Sequence, residues 1–321
     1  MSYRTPSRRG GTLVIVLASL VPLCFAGWLV WQSARGSADE GSDSPPALMP
    51  GPSGSDGSDG SEGPDGGKPG APDKRGKSPQ PDKGGKENGN RGQKGDPLEG
   101  MTVVLDPGHN PNNRKHPDKI NRLVDIGTNK KACDTTGTET NSGYAEASFT
   151  LDLARRVRTD LEKQGASVKL TQDGDRSYGP CIDERAEIGN TAKADAVVSL
   201  HADGAAQGGH GFHVIVPASL RAGDADTTAI SAPSRRLGTS LAAAFDKVEG
   251  ARKSNYIEAE KGYVTRDDLG GLNLSKVPKV FLECGNMRDA GDAAQFTDPE
   301  WRGRAAYGIA QGITDFLTEG R

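Results

Sequence analysis

His109, Glu146, His201 and Glu283 are the residues of this chain best placed, by type and spacing, to hydrolyse a carbonyl derivative. His109 and His201 end short apolar runs, Val103-Val104-Leu105 before an Asp-Pro-Gly turn and Ala196-Val197-Val198-Ser199-Leu200, and Glu283 follows Val280-Phe281-Leu282. Such runs read as strands, and in open α/β sheets sites form beyond the carboxyl ends of strands. Glu146 precedes Phe149 by three residues and Leu153 by seven, so it shares the buried face of a helix and points towards the sheet. Two imidazoles and one carboxylate make a hydrolytic zinc site with a fourth position open to water. Zinc acidifies that water and polarises a carbonyl. A carboxylate outside the ligand set then takes the water's proton and passes it to a leaving amine. This predicts His109, Glu146 and His201 as ligands of Zn2+ and Glu283 as the catalytic base. Taken singly, each residue also has an ordinary explanation: a histidine after a Pro-Gly turn, an acid favoured at a helix N-terminus, a strand-end histidine, a buried acid in a structural pair.

The elements that must position these groups follow from periodicity. Asn141 or Ser142 caps a helix running to about Gln164, with Phe149, Leu153, Val157 and Leu161 recurring every four residues on its buried face. Gly165 ends it, and Val168-Lys169-Leu170 is the next strand. Further helices are expected over about 182–193, 233–248 and 299–318, and further strands at 196–200, 212–216 and 280–282. Residues 110–143 read as a polar loop. Strands alternating with helices predict a single α/β domain over 98–321, with a mixed, mostly parallel central sheet flanked by helices. His210 and His213 lie on or near the strand after His201 and read as surface or supporting groups; Arg185, after Asp183-Glu184, reads as a structural ion pair at a helix start.

The chain has 321 residues, of which only 33% are hydrophobic, because the low-complexity part dilutes the rest. Residues 1–11 carry Arg4, Arg8 and Arg9 and no acid, as a cytoplasmic basic N-terminus would; residues 12–31 are uncharged and close on Trp28 and Trp31. About 20 apolar residues suffice to cross a bilayer, and the flanking arginines orient such a span with the remainder outside. A transmembrane signal anchor is therefore expected, with secretion after signal cleavage as the alternative. Residues 32–97, rich in Gly, Pro, Ser, Asp and Lys, cannot bury enough surface to fold and read as a disordered linker. Its root-mean-square reach is roughly 45 Å. A formal net charge of -3 gives no basic field for nucleic acid. Four cysteines occur without any CxxC pair, which excludes a zinc ribbon.

Four blocks carry a resemblance: Leu105-Asp106-Pro107-Gly108-His109, Gly143-Tyr144-Ala145-Glu146, Ser199-Leu200-His201-Ala202-Asp203 and Leu282-Glu283-Cys284-Gly285-Asn286-Met287-Arg288-Asp289. In this order they resemble the signature blocks of zinc N-acetylmuramoyl-L-alanine amidases, over about 100–318. Lys131-Ala132-Cys133-Asp134-Thr135-Thr136-Gly137 and Gly179-Pro180-Cys181-Ile182-Asp183-Glu184-Arg185 are similar to the actinobacterial branch. The resemblance implies zinc on His109, Glu146 and His201, catalysis by Glu283, a Cys133–Cys181 disulfide, and cleavage of the amide between N-acetylmuramic acid and L-alanine in peptidoglycan. Arg266 and Asp268 resemble a family segment near the cleft, which implies substrate positioning; the plain reading is a capped, charged loop. Asp289 departs from the Asn common at that place. The expected protein is a monomer that meets peptidoglycan outside the membrane. The alternatives are a non-catalytic wall-binding module and a zinc peptidase acting within the stem peptide.

Overall fold

Apolar runs without alternation mark strands covered on both faces. Val103, Val104 and Leu105 have no solvent exposure, and neither do Val197 and Val198. In the computed structural model, which describes residues 96–257 and 263–319, these runs form the middle of the sheet. The strands are β1 (Thr102–Pro107), β2 (Leu123–Asp125), β3 (Lys130–Ala132), β4 (Ser167–Leu170), β5 (Ala196–Asp203), β6 (His213–Pro217), β7 (Arg221–Ala222), β8 (Ala225–Asp226), β9 (Tyr263–Arg266) and β10 (Lys279–Asn286). The helices are α1 (Pro117–Ile120), α2 (Glu146–Glu162), α3 (Ile182–Thr191), α4 (Ser231–Phe245), α5 (Gly270–Asn273), α6 (Ala290–Thr297) and α7 (Pro299–Thr318).

The main sheet has the order β4-β1-β5-β10-β6-β9. β1 runs parallel to β4 and β5, and β5 to β10; β6 is antiparallel to β10, and β9 parallel to β6. The expected mixed, mostly parallel α/β sheet is therefore present. One face carries Leu105, Val198, Leu200, Val214, Val280 and Leu282, which pack in one core with Phe149, Leu153 and Val157 of α2, Leu237 and Phe245 of α4, and Trp301 and Ile309 of α7. Each such side chain contributes about 1.5–3 kcal/mol on burial. The other face is covered only in part, by α3 and α5, and its smaller cluster holds Val104, Val197 and the half-buried Ile188. The site lies on this face.

Three expectations need correction. α2 begins at Glu146 with Ala145 as its cap, not at Asn141 or Ser142. Those polar groups are used in the preceding turn: Thr140 Oγ1 pairs with Ser142 Oγ, and Asn141 Nδ2 donates to the Arg288 carbonyl. The 110–143 loop contains α1 and the β2–β3 hairpin, whose three-residue strands are too short to show a period. β9, α5 and α6 were not anticipated; α6 is announced only by its cap, Asp289, which accepts from Gly291 N and Asp292 N. Asp289 thus does a helix-capping job at the place where it departs from Asn. Among the described residues no helix is long and apolar enough to cross a membrane. The expected span at 12–31 and the linker at 32–97, apart from its last two residues Asp96 and Pro97, lie outside those residues.

Candidate active site

β1 delivers His109 through a turn that the backbone does not favour. His109 sits at φ 62°, in the left-handed region, which costs a non-glycine residue of order 1 kcal/mol. Surrounding bonds hold it there. Arg185 of α3 donates from Nη2 to the His109 carbonyl at 3.0 Å and from Nη1 to that of Pro107 at 2.7 Å, and Gln172 Nε2 reaches the His109 carbonyl at 3.2 Å. Arg185 is anchored by Asp106 at 2.8 Å and Asp134 at 3.0 Å. The sequence points to a local ion pair at a helix start; the partners are instead far away in the chain. Asp106 also accepts from Thr171 Oγ1, Ser199 Oγ and Lys279 Nζ. Burial would raise its carboxyl, but Lys279 and Arg185 hold it far below the usual carboxylate range.

β5 delivers His201, and the first residue of α2 delivers Glu146, which is 3% exposed. Glu146 Oε1 lies 2.9 Å from His201 Nδ1 and its Oε2 lies 3.2 Å from His109 Nε2. The two rings stand edge to face with centroids 5.0 Å apart. One ligand atom from each of the three residues falls within 4.8 Å of the others. Glu146 is fixed by two backbone donors, Thr138 N at 2.9 Å and Ala202 N at 3.2 Å. His109 Nδ1 faces the Thr135 carbonyl at 3.2 Å and Asp134 Oδ1 at 3.3 Å. A proton on Nδ1 shared with those oxygens leaves Nε2 free to bind a metal, the usual carboxylate–histidine support of a ligand.

Two glycines make room for this cluster. A Cβ on Gly108 would lie 2.4 Å from His201 Cε1, and one on Gly137 would lie 2.7 Å from His109 Cδ2 and 2.8 Å from Glu146 Oε2. Burial would depress His109, yet Glu146 and Asp134 outweigh it and raise it to about 10. The pocket is thus negative and calls for a positive charge. Its nitrogen, nitrogen and carboxylate donors suit a divalent ion of zinc type, so the residues present can hold a metal.

Glu283 stands beside His201, its registered partner on β5. Its Oε2 is buried without a hydrogen-bond partner. Burial, then repulsion from Glu146 and Asp203, pushes its carboxyl well above the ordinary value; His109 and Arg266 oppose that. Such a group is poised to hold a proton during a reaction. All four expected chemical residues therefore meet at one end of the sheet. Arg266 and Asp268 hold each other through two bonds, Nε to Oδ1 at 2.7 Å and Nη2 to Oδ2 at 2.6 Å. Asp268 also lines a cavity of about 330 Å³ with His109, His201, Phe281 and Leu269. Cys133 and Cys181 form a disulfide that ties the β2–β3 hairpin region to the start of α3.

Sequence reasoning gave no role to Gly108, Gly137 or Asp134, although all three lie inside the blocks that carried the resemblance. The only available signal was a glycine directly before a candidate ligand, whose reason, a ring lying over the backbone, is tertiary.

A sequence profile of the N-acetylmuramoyl-L-alanine amidase family matches residues 103–315. The N-acetylmuramoyl-L-alanine amidase Rv3717 of Mycobacterium tuberculosis is 38% identical over 230 residues, covering 70% of this chain and 90% of that protein. The crystal structure of the N-acetylmuramyl-L-alanine amidase Ami1 of Mycobacterium smegmatis superposes with a TM-score of 0.63 at 36% identity, covering 69% of this chain and 99% of the other. The apo form of Ami1 from Mycobacterium abscessus gives 0.62 at 39% identity, covering 68% and 100%.

Proposed function

Because the chain belongs to the N-acetylmuramoyl-L-alanine amidase family, we propose that it hydrolyses the amide between N-acetylmuramic acid and the L-alanine of the peptidoglycan stem peptide. The observation that carries this reading is the meeting of His109, Glu146 and His201 within 4.8 Å, next to a sequestered carboxyl on Glu283. On this reading the three residues hold zinc, which supplies Lewis-acid polarisation of the scissile carbonyl and acidifies water. Glu283 accepts a proton from the attacking water as its oxygen bonds to the carbonyl carbon. The same carboxyl returns that proton to the alanine nitrogen as the carbon–nitrogen bond breaks, leaving a muramoyl carboxylate and a free amino terminus. Asp134 and Arg185 keep His109 in its strained turn throughout. Asp268 of the cavity wall, with Arg266 paired to it, orients the substrate.

The same reading includes residues 12–31 as a membrane anchor and 32–97 as the tether of a monomeric domain outside the cytoplasm. The uncharged run after three arginines supports it.

The test is product analysis with purified peptidoglycan and the full chain, before and after chelation and after zinc is restored. Stem peptide with a free L-alanine amino terminus, lost on chelation and regained with zinc, is the expected result. Cleavage within the peptide would make the protein a zinc peptidase, and binding without cleavage a wall-binding module; either refutes the proposal.

A further inference from the structure

His201, Glu283 and His213 stand in one row across three neighbouring strands: Glu283 is registered with His201 on β5 and with His213 on β6. Strands lie about 4.8 Å apart, and side chains of directly opposed residues on an antiparallel pair leave the same face with Cβ atoms roughly 4.5–5.5 Å apart. His213 is 3% exposed. The buried polar atoms without a partner among the described residues are His213 Nδ1, Glu283 Oε2 and Asn273 Oδ1. Two of these three thus belong to facing residues of a single register pair. A buried polar atom left alone costs about 1–3 kcal/mol, and these two, on one register pair yet unbonded to each other, call for a shared partner.

We propose that His213 is a positioning residue for Glu283: Nδ1 and Oε2 are not bonded to each other in this structure, and one water bridging them leaves Oε1 to serve the reacting atoms. This rests on the amidase reading and deepens it. A proton shuttle works only when its carboxyl is held in one orientation, and no other side chain of the described residues fixes Oε2. The groups facing the pair are consistent with a neutral ring. Around Glu283 stand the negative Glu146 and Asp203 and the positive His109 and Arg266. Around His213 stand Asp203 and Arg266, with the edge of Tyr256 at 5.9 Å between ring centroids. The Tyr256 hydroxyl donates to Asp203 Oδ2 at 3.2 Å, which occupies that carboxylate elsewhere. Burial holds His213 down at about 4, so at neutral pH the imidazole is uncharged. It contributes a hydrogen bond without adding a charge that would lock Glu283 as an ion.

The test uses three full-length variants loaded with zinc. His213→Phe keeps the ring's bulk and removes both nitrogens. His213→Asn places an amide near Nδ1, and His213→Gln places it one bond further out. His213→Phe is expected to lower kcat by roughly tenfold to a hundredfold, with KM and zinc stoichiometry unchanged. His213→Asn is expected to recover most of kcat, and His213→Gln to recover little. A second readout is independent of turnover: the nitrogen-15 shift of His213 Nδ1 is expected to move on Glu283→Gln. The proposal is overturned if His213→Phe keeps kcat within twofold, if Phe, Asn and Gln lose it equally, or if the Nδ1 shift ignores Glu283→Gln. A wild-type chain that cleaves nothing would defeat the functional reading alone, and the spectroscopic readout would still decide the contact.

Discussion

One methyl group on Gly108 should empty the metal site while leaving the fold standing. Gly108 has no positive φ, so Gly108→Ala introduces no backbone strain, and its amide keeps its bond to the Leu200 carbonyl at 2.9 Å. The new Cβ would lie 2.4 Å from His201 Cε1, 2.6 Å from Nδ1 and 2.8 Å from Nε2. Carbon atoms in contact prefer about 3.5–4.0 Å, so the ring must retreat by about 1 Å. Retreat is restricted, because Phe281 stacks on the ring at 5.1 Å and Glu146 Oε1 holds Nδ1 at 2.9 Å. Metal sites tolerate displacements of only about 0.2 Å in ligand distance. Zinc affinity should therefore fall at least about 100-fold, beyond what loss of a supporting group causes. The overpacking itself costs about 1–3 kcal/mol, which in a domain of this size lowers the melting midpoint of the metal-free protein by roughly 2–12 °C. Competition against a chromophoric chelator gives the affinity, and calorimetry of the stripped protein gives the midpoint. Zinc affinity within twofold of wild type would refute the reasoning, since it would mean that His201 is not a ligand or that the backbone yields without consequence.

Glu283→Gln should retain stoichiometric zinc and lose turnover by about 10²–10⁴-fold; metal analysis beside product release checks it, and an active variant would remove Glu283 from the chemistry. Replacing Cys133 and Cys181 together by Ala opens a loop closed over a sequence separation of 48, a loss of about 4 kcal/mol on the chain-entropy account. That predicts a melting midpoint lower by roughly 10 °C, and a midpoint within 2 °C of wild type would contradict it. The His213 contribution to the stability of the metal-free protein should rise with pH between about 4 and 6.5, because His213 is held down at about 4 when folded and its unfolded form takes up a proton first, while Glu283, whose carboxyl is raised in the fold, contributes in the opposite sense. That contribution is complete above about 6.5, is lost as pH falls, and amounts to about 3 kcal/mol. Urea melts across this window should show a less positive dependence of stability on pH in His213→Phe than in wild type, and identical dependences would argue that the ring is not buried uncharged. Below about pH 4 a further loss is expected as Asp106, depressed in the fold, protonates against Lys279 and Arg185.

The four candidate chemical residues could be named because each carries a local mark and lies in a block that resembles the family's. His109, His201 and Glu283 end apolar strands, and Glu146 keeps the helical phase of Phe149 and Leu153. These patterns fix which way a side chain leaves its own element, and the layer order follows from strands alternating with helices. The start of α2 was misplaced because Asn141 and Ser142 have the chemistry of caps, and only the surrounding turn and the Arg288 carbonyl decide how they are used. Short elements such as β2, β3 and β9 were missed because three or four residues do not establish a period.

The sequence by itself therefore determined the α/β class and the buried faces, and together with the family resemblance it named candidate residues for a metal and a proton. Tertiary structure alone decided what surrounds them: the clamp of Arg185 on Asp106 and Asp134, the glycines under His201 and beside His109, and the register that sets His213 opposite Glu283. The physical reason is range. Periodicity and propensity act within a few residues, whereas strand register and close packing join residues far apart in the chain, such as Arg185 with Asp134 and Lys279 with Asp106, whose separations are 51 and 173.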